Sequence, residues 1–454
     1  MIKKNGKIGL SLCLTAALMA GTFAGCGNSA DAESAKTAAV KETAEKVNAD
    51  VQDGVVKSGD DASDEGTSEN EIEFWNFFTG PDGDNMKAMV EGFNATNPKY
   101  RIKNVTMASG DLYTKIPTVV NSGKGIPDLT IVDVARIPMF YAQGLLESMK
   151  PVLDAAPEIK KENYKAAVWD TGTFDGEQYA VPLDMGVIGV AYNKDLVEQY
   201  APGVLDDNLI TIDEIKEIIP KAAEDGIVTI PVSFFGYEQA LSLAKQEGAE
   251  LFKDETTPNI NGPEFTKAMQ TLKEIVDLGG CSDEGEDNLQ LFMAGEAIFC
   301  PDGVWDANAL NAIEGLNWGI TNSICYNTDT FYNFANSNQF VMLKNDARSD
   351  EKEKTIAEFL EYVRQNTLEW AKSGQVPASS AADDEEEYKE MNQHFFVSTP
   401  EIEESIQFKN YKYTGYADDA INKVFGDILF GNIDLEEGLN QAQKQVEDNI
   451  AQNQ

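Results

Sequence analysis

The chain has 454 residues, 77 of them acidic, 36 basic and one a histidine, for a formal net charge of −41. Such a surface repels nucleic acid and anionic lipid headgroups, so a nucleic-acid partner is excluded, and the bland reading of the charge is a well-solvated surface. The length from Glu71 onward exceeds what a single hydrophobic core usually holds, so two lobes are expected.

The first segment is a basic start (Lys3, Lys4, Lys7), an apolar run from Ile8 to Met19 and the closing residues Phe23-Ala24-Gly25-Cys26. That order reads as a secretory signal peptide over 1–25, too short and wrongly flanked for a lasting transmembrane helix. The cysteine at the break resembles the lipobox of bacterial lipoproteins, although Phe23 stands where Leu is usual. The resemblance implies lipidation of Cys26 and an extracytoplasmic chain held at the outer face of a cell membrane, of Gram-positive type. Residues 26–70 contain no aromatic side chain and are rich in Ala, Asp, Glu, Ser and Lys. They cannot bury enough apolar surface to offset chain ordering and are expected to form a disordered acidic tether, with a reach of roughly 35–40 Å. Asp61-Ala62-Ser63-Asp64-Glu65-Gly66 only superficially resembles a calcium loop, since Ile72 occupies the closing acidic position.

From Glu71 the pattern is that of a folded body. Glu71–Phe78 is strand-like and stopped by Thr79-Gly80-Pro81-Asp82-Gly83. Four aromatics alternate on it (Phe74 and Phe78 against Trp75 and Phe77), of which two are expected in the core. Asp84–Asn94 follows with Met86, Met89, Val90 and Phe93 on one helical face. A second strand over Arg101–Met107, a helix over Asp111–Ser122 and a short strand over Asp128–Asp133 complete a strand-helix alternation. This predicts a parallel sheet with helices on its faces and ligands beyond the carboxyl ends of its strands. Tyr179–Asp184 and the apolar run Val187–Tyr192 come next. Thr211 and Glu214 form a capping-box pattern. Phe265–Leu278 and Leu289–Met293 read as helices, Ala297–Cys300 and Phe340–Leu343 as strands, Glu351–Gln365 as a helix, and 384–454 as mostly helical. Cys281, Cys300 and Cys325 allow at most one disulfide, match no zinc spacing and are expected to be core thiols.

The order of motifs resembles the extracellular solute-binding proteins of ABC importers, in the sugar-binding group that includes maltose-binding protein. The resemblance rests on Phe74-Trp75 with Thr79–Gly83, Tyr141–Leu146, Tyr179–Asp184, Tyr192–Leu196, Phe292–Ala297 with Gly303-Val304-Trp305, Gly374–Ala378, and Gly431 with Leu435–Leu439. It implies an α/β, two-lobed periplasmic-binding-protein fold of type II-like topology, its discontinuous lobes joined by hinge strands. The first lobe is expected to hold 71–185 and 329–378, the second 186–328 and a helical 379–454. The chain is expected to cross near Asp184–Gly189, Asn322–Asn336 and Ser373–Asp383.

Sugars present hydroxyl edges and apolar C–H faces, so their sites pair planar polar side chains with aromatic rings. Trp305 matches a second-lobe tryptophan that stacks on sugar; core packing is its alternative. Phe78, Thr79 and Asp82 lie in the loop after the first strand, where Asp82 is either an acceptor for vicinal hydroxyls or a turn residue. Asp184 precedes a hinge strand. Asp133 and Arg136 are ligand groups or a helix-capping pair. Tyr237 with Glu238, Asn336, Asn338 and Gln375 complete the candidates. The loop after Trp75 differs from that of maltose-binding protein and the second-lobe aromatics are not all evident, so maltose is not implied.

The resemblance therefore implies a monomeric, lipid-anchored binding protein, without cofactor, metal or catalysis, that captures a carbohydrate and delivers it to permease transmembrane subunits. The alternatives are a polyol or peptide as ligand, or service to a sensor. A glycosidase needs only two carboxylates, which any chain this acidic supplies. His394 is the one histidine, and no serine elbow, zincin or phosphate-loop motif occurs.

Overall fold

The computed structural model describes residues 71–232 and 235–452. The signal, lipidation and tether readings lie outside these residues. The strands in chain order are β1 (Glu71–Asn76), β2 (Arg101–Thr106), β3 (Leu129–Asp133), β4 (Leu146–Glu147), β5 (Thr173–Phe174), β6 (Glu177–Gln178) and β7 (Ala180–Pro182). They continue with β8 (Asp184–Asn193), β9 (Phe299–Gly303), β10 (Trp318–Thr321), β11 (Asn333–Asn336), β12 (Asn338–Leu343), β13 (Val376–Pro377) and β14 (Ile406–Phe408).

Two sheets organise the molecule. The first has the order β2-β1-β3-β12-β4, with β7 on β12; the second has β10-β8-β11-β14, with β9 and β13 also on β8. β1 pairs in parallel with β2 and β3, as the strand-helix alternation predicts, while β12 enters antiparallel to β3. The chain passes from the first sheet to the second at Leu183, returns at Ser337, and is again in the second sheet at β13. The expected lobe boundary at 329 falls before β11, which pairs with β8 and β14; the sheet changes eight residues later, at Ser337.

Local chemistry explains most elements. The Gly80–Ala95 helix has Pro81 in its first turn, where the missing N–H costs nothing, and buries Met86, Met89, Val90 and Phe93 as the periodicity predicts. Thr211 and Glu214 close the predicted capping box, with Glu214 Oε2 accepting from the Thr211 amide at 2.8 Å. Phe74, Trp75 and Phe78 are all buried, three of the four aromatics instead of two: Phe74 and Trp75 because β1 is covered on both faces, and Phe78, beyond the strand's end, because it packs on Trp370. Phe74, Phe340 and Phe359 meet with ring centroids 5.7–6.1 Å apart, a cluster whose truncation at any member costs about 3–5 kcal/mol. β14 was not predicted; it is a three-residue edge strand within a helical region. None of the three thiols is in a disulfide; Cys300 and Cys325 are buried and Cys281 only partly so.

Candidate functional site

The strands that change sheets bring the candidate residues together. β12 sets Asn338 opposite Asp133 of β3, and β11 sets Asn336 opposite Gly186 of β8. β9 delivers Asp302 and Gly303, and a 3-10 turn over Val304–Asp306 follows.

Trp305 lies on backbone that only glycine can offer. A Cβ on Gly303 would come within 2.2 Å of the indole and one on Gly186 within 3.1 Å. The ring is thus laid flat over β8 and β9, partly exposed, with the Phe235 ring edge-on at 5.5 Å. Phe235 adopts a left-handed backbone (φ 50°), uncommon for an aromatic residue and worth strain of order 1–3 kcal/mol.

Beside it stand Asp82 and Gln375. Gln375 Nε2 donates to Asp82 Oδ2 at 3.1 Å. Asp82 Oδ1 and Gln375 Oε1 are buried with no hydrogen-bond partner. The nearby Ser373 hydroxyl spends its proton on the Trp370 carbonyl at 2.7 Å. Burial pushes the Asp82 carboxyl up to about 6, the Gln375 bond opposes this, and the charge of Asp306 adds to it. Two buried acceptors left open on either side of one hydrogen bond are what a ligand's hydroxyl donors would complete.

Asp184 behaves differently. It is 0 % exposed, and its carboxylate accepts from the Asn338 amide at 2.8 Å, from Asn338 Nδ2 at 2.9 Å and from Trp370 Nε1 at 3.0 Å. Burial lifts its pKa to about 7 against these three donors. Asp184 and Asn338 thus tie the two sheet-changing strands to each other; the Asp184 carboxylate is spent on these bonds, while Asn338 stays partly exposed.

Four other candidates are also placed in structural roles. Phe78 is buried, packed on Trp370 at 4.9 Å. Tyr237 is a core residue of the second unit, 2 % exposed, and the aromatic facing Trp305 is Phe235, two residues earlier. Glu238 is buried in an ion pair with Lys409 at 3.0 Å, which also binds Asp418 at 3.1 Å. Burial would lower the Lys409 pKa, but Asp418 and Glu238 more than offset it and hold the ammonium charged. Asp133 commits Oδ1 to the Ala135 amide at 2.9 Å, the turn-capping role, while burial raises it to about 6. Arg136 stacks 5.5 Å from the Tyr113 ring, reaches Asp419 at 3.9 Å and lies against Gly415, where a Cβ would be 2.2 Å from its Nη1. Thr79 is exposed at the start of the Gly80–Ala95 helix, and Asn336 is partly exposed at the end of β11.

Asp302, Asp306, Phe235 and Lys409 were not read from the sequence. The pair of acids flanking Gly303-Val304-Trp305 was the available signal for the first two. Asp302 is 3 % exposed, and burial with the charge of Asp306 drives its carboxyl well above the carboxylate range. Among the described residues no helix is long and apolar enough to cross a membrane.

Two sheets joined by crossing strands, with an aromatic platform and open acceptors beside the crossing, define a ligand-binding protein. Residues 88–396 match the family model of bacterial extracellular solute-binding proteins, and the chain belongs to that family, whose members act outside the cytoplasm. A curated relative is the arabinooligosaccharide-binding protein of Halalkalibacterium halodurans, 26 % identical over 215 residues, 45 % of this chain and 46 % of the relative. Another is the lactose-binding protein of Rhizobium radiobacter, 26 % identical over 229 residues, 48 % of this chain and 53 % of the relative. The chain spans about half the length of the curated relatives it matches. Among solved structures, the sugar-binding protein MalE of Xanthomonas citri superposes with a TM-score of 0.71 at 19 % identity, covering 84 % of this chain and 98 % of that one. The GacH receptor of Streptomyces glaucescens, solved unliganded and with acarbose, gives 0.69 at 16 % identity, over 85 % and 98 %. These likenesses show the fold, the two-lobed α/β arrangement.

Proposed function

We propose that this chain captures a carbohydrate, an oligosaccharide in particular, between its two sheet-centred lobes and delivers it to the transmembrane subunits of an ABC permease. The observation that carries the reading is the pairing of Trp305, laid on Gly186 and Gly303, with the unpartnered acceptors Asp82 Oδ1 and Gln375 Oε1. A sugar ring stacks its C–H face on the indole and gives its hydroxyl protons to the two oxygens. Thr79 and Asn336 are the further contacts we assign; Asp133 and Arg136 keep the turn-capping and ion-pair roles described above.

In this reading the lobes are divided by the changes of sheet at Leu183 and Ser337, with the helical C-terminal part in the second lobe. Ligand that touches both lobes stabilises the closed arrangement in proportion to its preference for that state. The permease reads the closed form, and the sugar is released unaltered. Lipidation of Cys26 holds the monomer at the outer face of the membrane, with 26–70 as tether. The names of the arabinooligosaccharide- and lactose-binding relatives support a saccharide over a peptide or polyol.

A thermal-shift screen of the full chain against mono-, di- and oligosaccharides, with polyols, amino acids and peptides as controls, tests this. A ligand that binds only the folded state raises the melting temperature. A rise with one saccharide class, absent in Trp305→Ala, is expected; a rise with peptides or polyols alone would refute the carbohydrate assignment.

A further inference from the structure

The two lobes also touch at a place apart from Trp305. In the second sheet β11 lies between β8 and β14. Trp305 is laid on the β8 side, where Gly186 faces Asn336. On the β14 side the chain runs from Phe408 through Lys409 and Asn410 into a helix over Thr414–Leu429. Arg136, which precedes the Ile137–Ala142 helix after β3, reaches that helix from the first lobe.

The contact is built around a glycine. A Cβ on Gly415 would lie 2.2 Å from Arg136 Nη1 and 2.7 Å from Cζ, so the guanidinium rests on bare backbone and Gly415 is buried beneath it. Gly415 sits in the first turn of a helix without a left-handed φ. Glycine is unfavourable there relative to alanine; room for the guanidinium is what it supplies. Arg136 Nη2 is 3.9 Å from Asp419 Oδ1 in the same helix, and its Cζ lies 5.5 Å from the Tyr113 ring of the first lobe. A second bond runs alongside. Asn410 Nδ2 donates to the Thr171 carbonyl at 3.3 Å, and Gln339 Nε2 of β12 holds the Thr171 hydroxyl at 2.7 Å. The fastening is weak by design of its parts. The Asp419 side chain is 63 % exposed, and a helix N-terminus opposes a cation. An exposed ion pair shifts an equilibrium about fivefold at most, which suits a contact that must open again.

We infer that Arg136 is a positioning residue for lobe closure: seated on Gly415, it latches the first lobe to the Thr414–Leu429 helix without the help of a ligand. The inference rests on the reading that the lobes close on a saccharide, and adds a closing contact that the saccharide does not supply. Apparent affinity scales with the fraction of molecules already in the binding-competent arrangement. Arg136 is spent on the second lobe and not on the sugar, so the latch raises that fraction equally for every ligand.

The test compares the full chain with Arg136→Ala and Gly415→Ala. The second variant displaces the guanidinium by one methyl group, keeps every charge and favours the helix, so it separates the latch from a failure to fold. Small-angle X-ray scattering without ligand should give both variants a larger radius of gyration than wild type. Saturating saccharide should bring all three to the same value, a convergence that mere loss of stability would not produce. Calorimetric titration with lactose, arabinotriose and any other saccharide that raises the melting temperature should show each weakened by the same factor, roughly two- to fivefold, with their ranking unchanged. Equal radii without ligand in wild type and Gly415→Ala overturn the inference and leave the carbohydrate reading standing. Unchanged affinities overturn it as well, as do losses that differ between saccharides, since those mark Arg136 as a contact to sugar. Binding of no saccharide overturns the capture reading instead, and the radii without ligand still decide whether the latch exists.

Discussion

Asp184 and Asp82 are close enough for the charge of one to raise the pKa of the other, yet they occupy opposite kinds of surroundings. Around Asp184 every donor is matched: two from Asn338 and one from Trp370. Around Asp82 one bond is made and two acceptors are left over. The Lys409 cluster belongs with the first kind, a buried cation answered by two carboxylates. The difference teaches that polarity and position alone do not mark a binding residue. A polar group whose bonds are all spent inside the protein holds the fold; one whose bonds are left open waits for a partner.

Substitutions on the satisfied side should break the protein and those on the open side should break binding. The largest effect is expected from Lys409→Met, which strands Glu238 and Asp418 and should cost about 3–5 kcal/mol in denaturant unfolding. Asp184→Ala should follow at about 3 kcal/mol, since it orphans the Asn338 amide and the Trp370 N–H. Trp305→Ala should leave the unliganded melting temperature nearly unchanged but weaken saccharide binding at least tenfold. Gly303→Ala should weaken it as well, because its Cβ would occupy the place of the indole. Asp82→Ala should cost less stability than Asp184→Ala, about 1 kcal/mol, since it orphans one buried donor, Gln375 Nε2, but also removes an unsatisfied oxygen, while affinity falls. A stability loss at Asp82 as large as at Asp184 would erase the distinction.

The smallest effect is in pH. Asp82 and Asp133 are raised to about 6 and Asp184 to about 7. A carboxyl raised in the folded state stabilises the fold when protonated, fully below its unfolded value, and that contribution is lost as pH rises through 6 to 7. Thermal melts should therefore show a higher melting temperature at pH 5 than at pH 8, with a smaller gap in Asp184→Asn.

Much of the fold was legible in the sequence because short-range rules govern it. The apolar periodicity of Gly80–Ala95, the Thr211–Glu214 box and the apolar run of β8 are local signals, and the structure contains each. β14 was not legible, since its three residues pair only through a distant partner, β11. The site was read less well for the same reason. Trp305, Asp82 and Gln375 could be singled out by residue type and loop position. That Asp184 would be saturated by Asn338, 154 residues away, or that Phe235 and not Tyr237 would face Trp305, depends on which strands change sheets. No local pattern encodes that.

The central claim is that the Trp305 cleft binds saccharide, and its most direct test is a titration of the full chain with the tightest saccharide from the thermal screen, repeated on Trp305→Ala and Lys412→Ala. Lys412 is not among the residues assigned to the site; its ammonium lies over the Tyr413 ring. The account predicts one-to-one binding that Lys412→Ala preserves and Trp305→Ala weakens at least tenfold. Equal affinity in wild type and Trp305→Ala would contradict it and move the site elsewhere on the molecule.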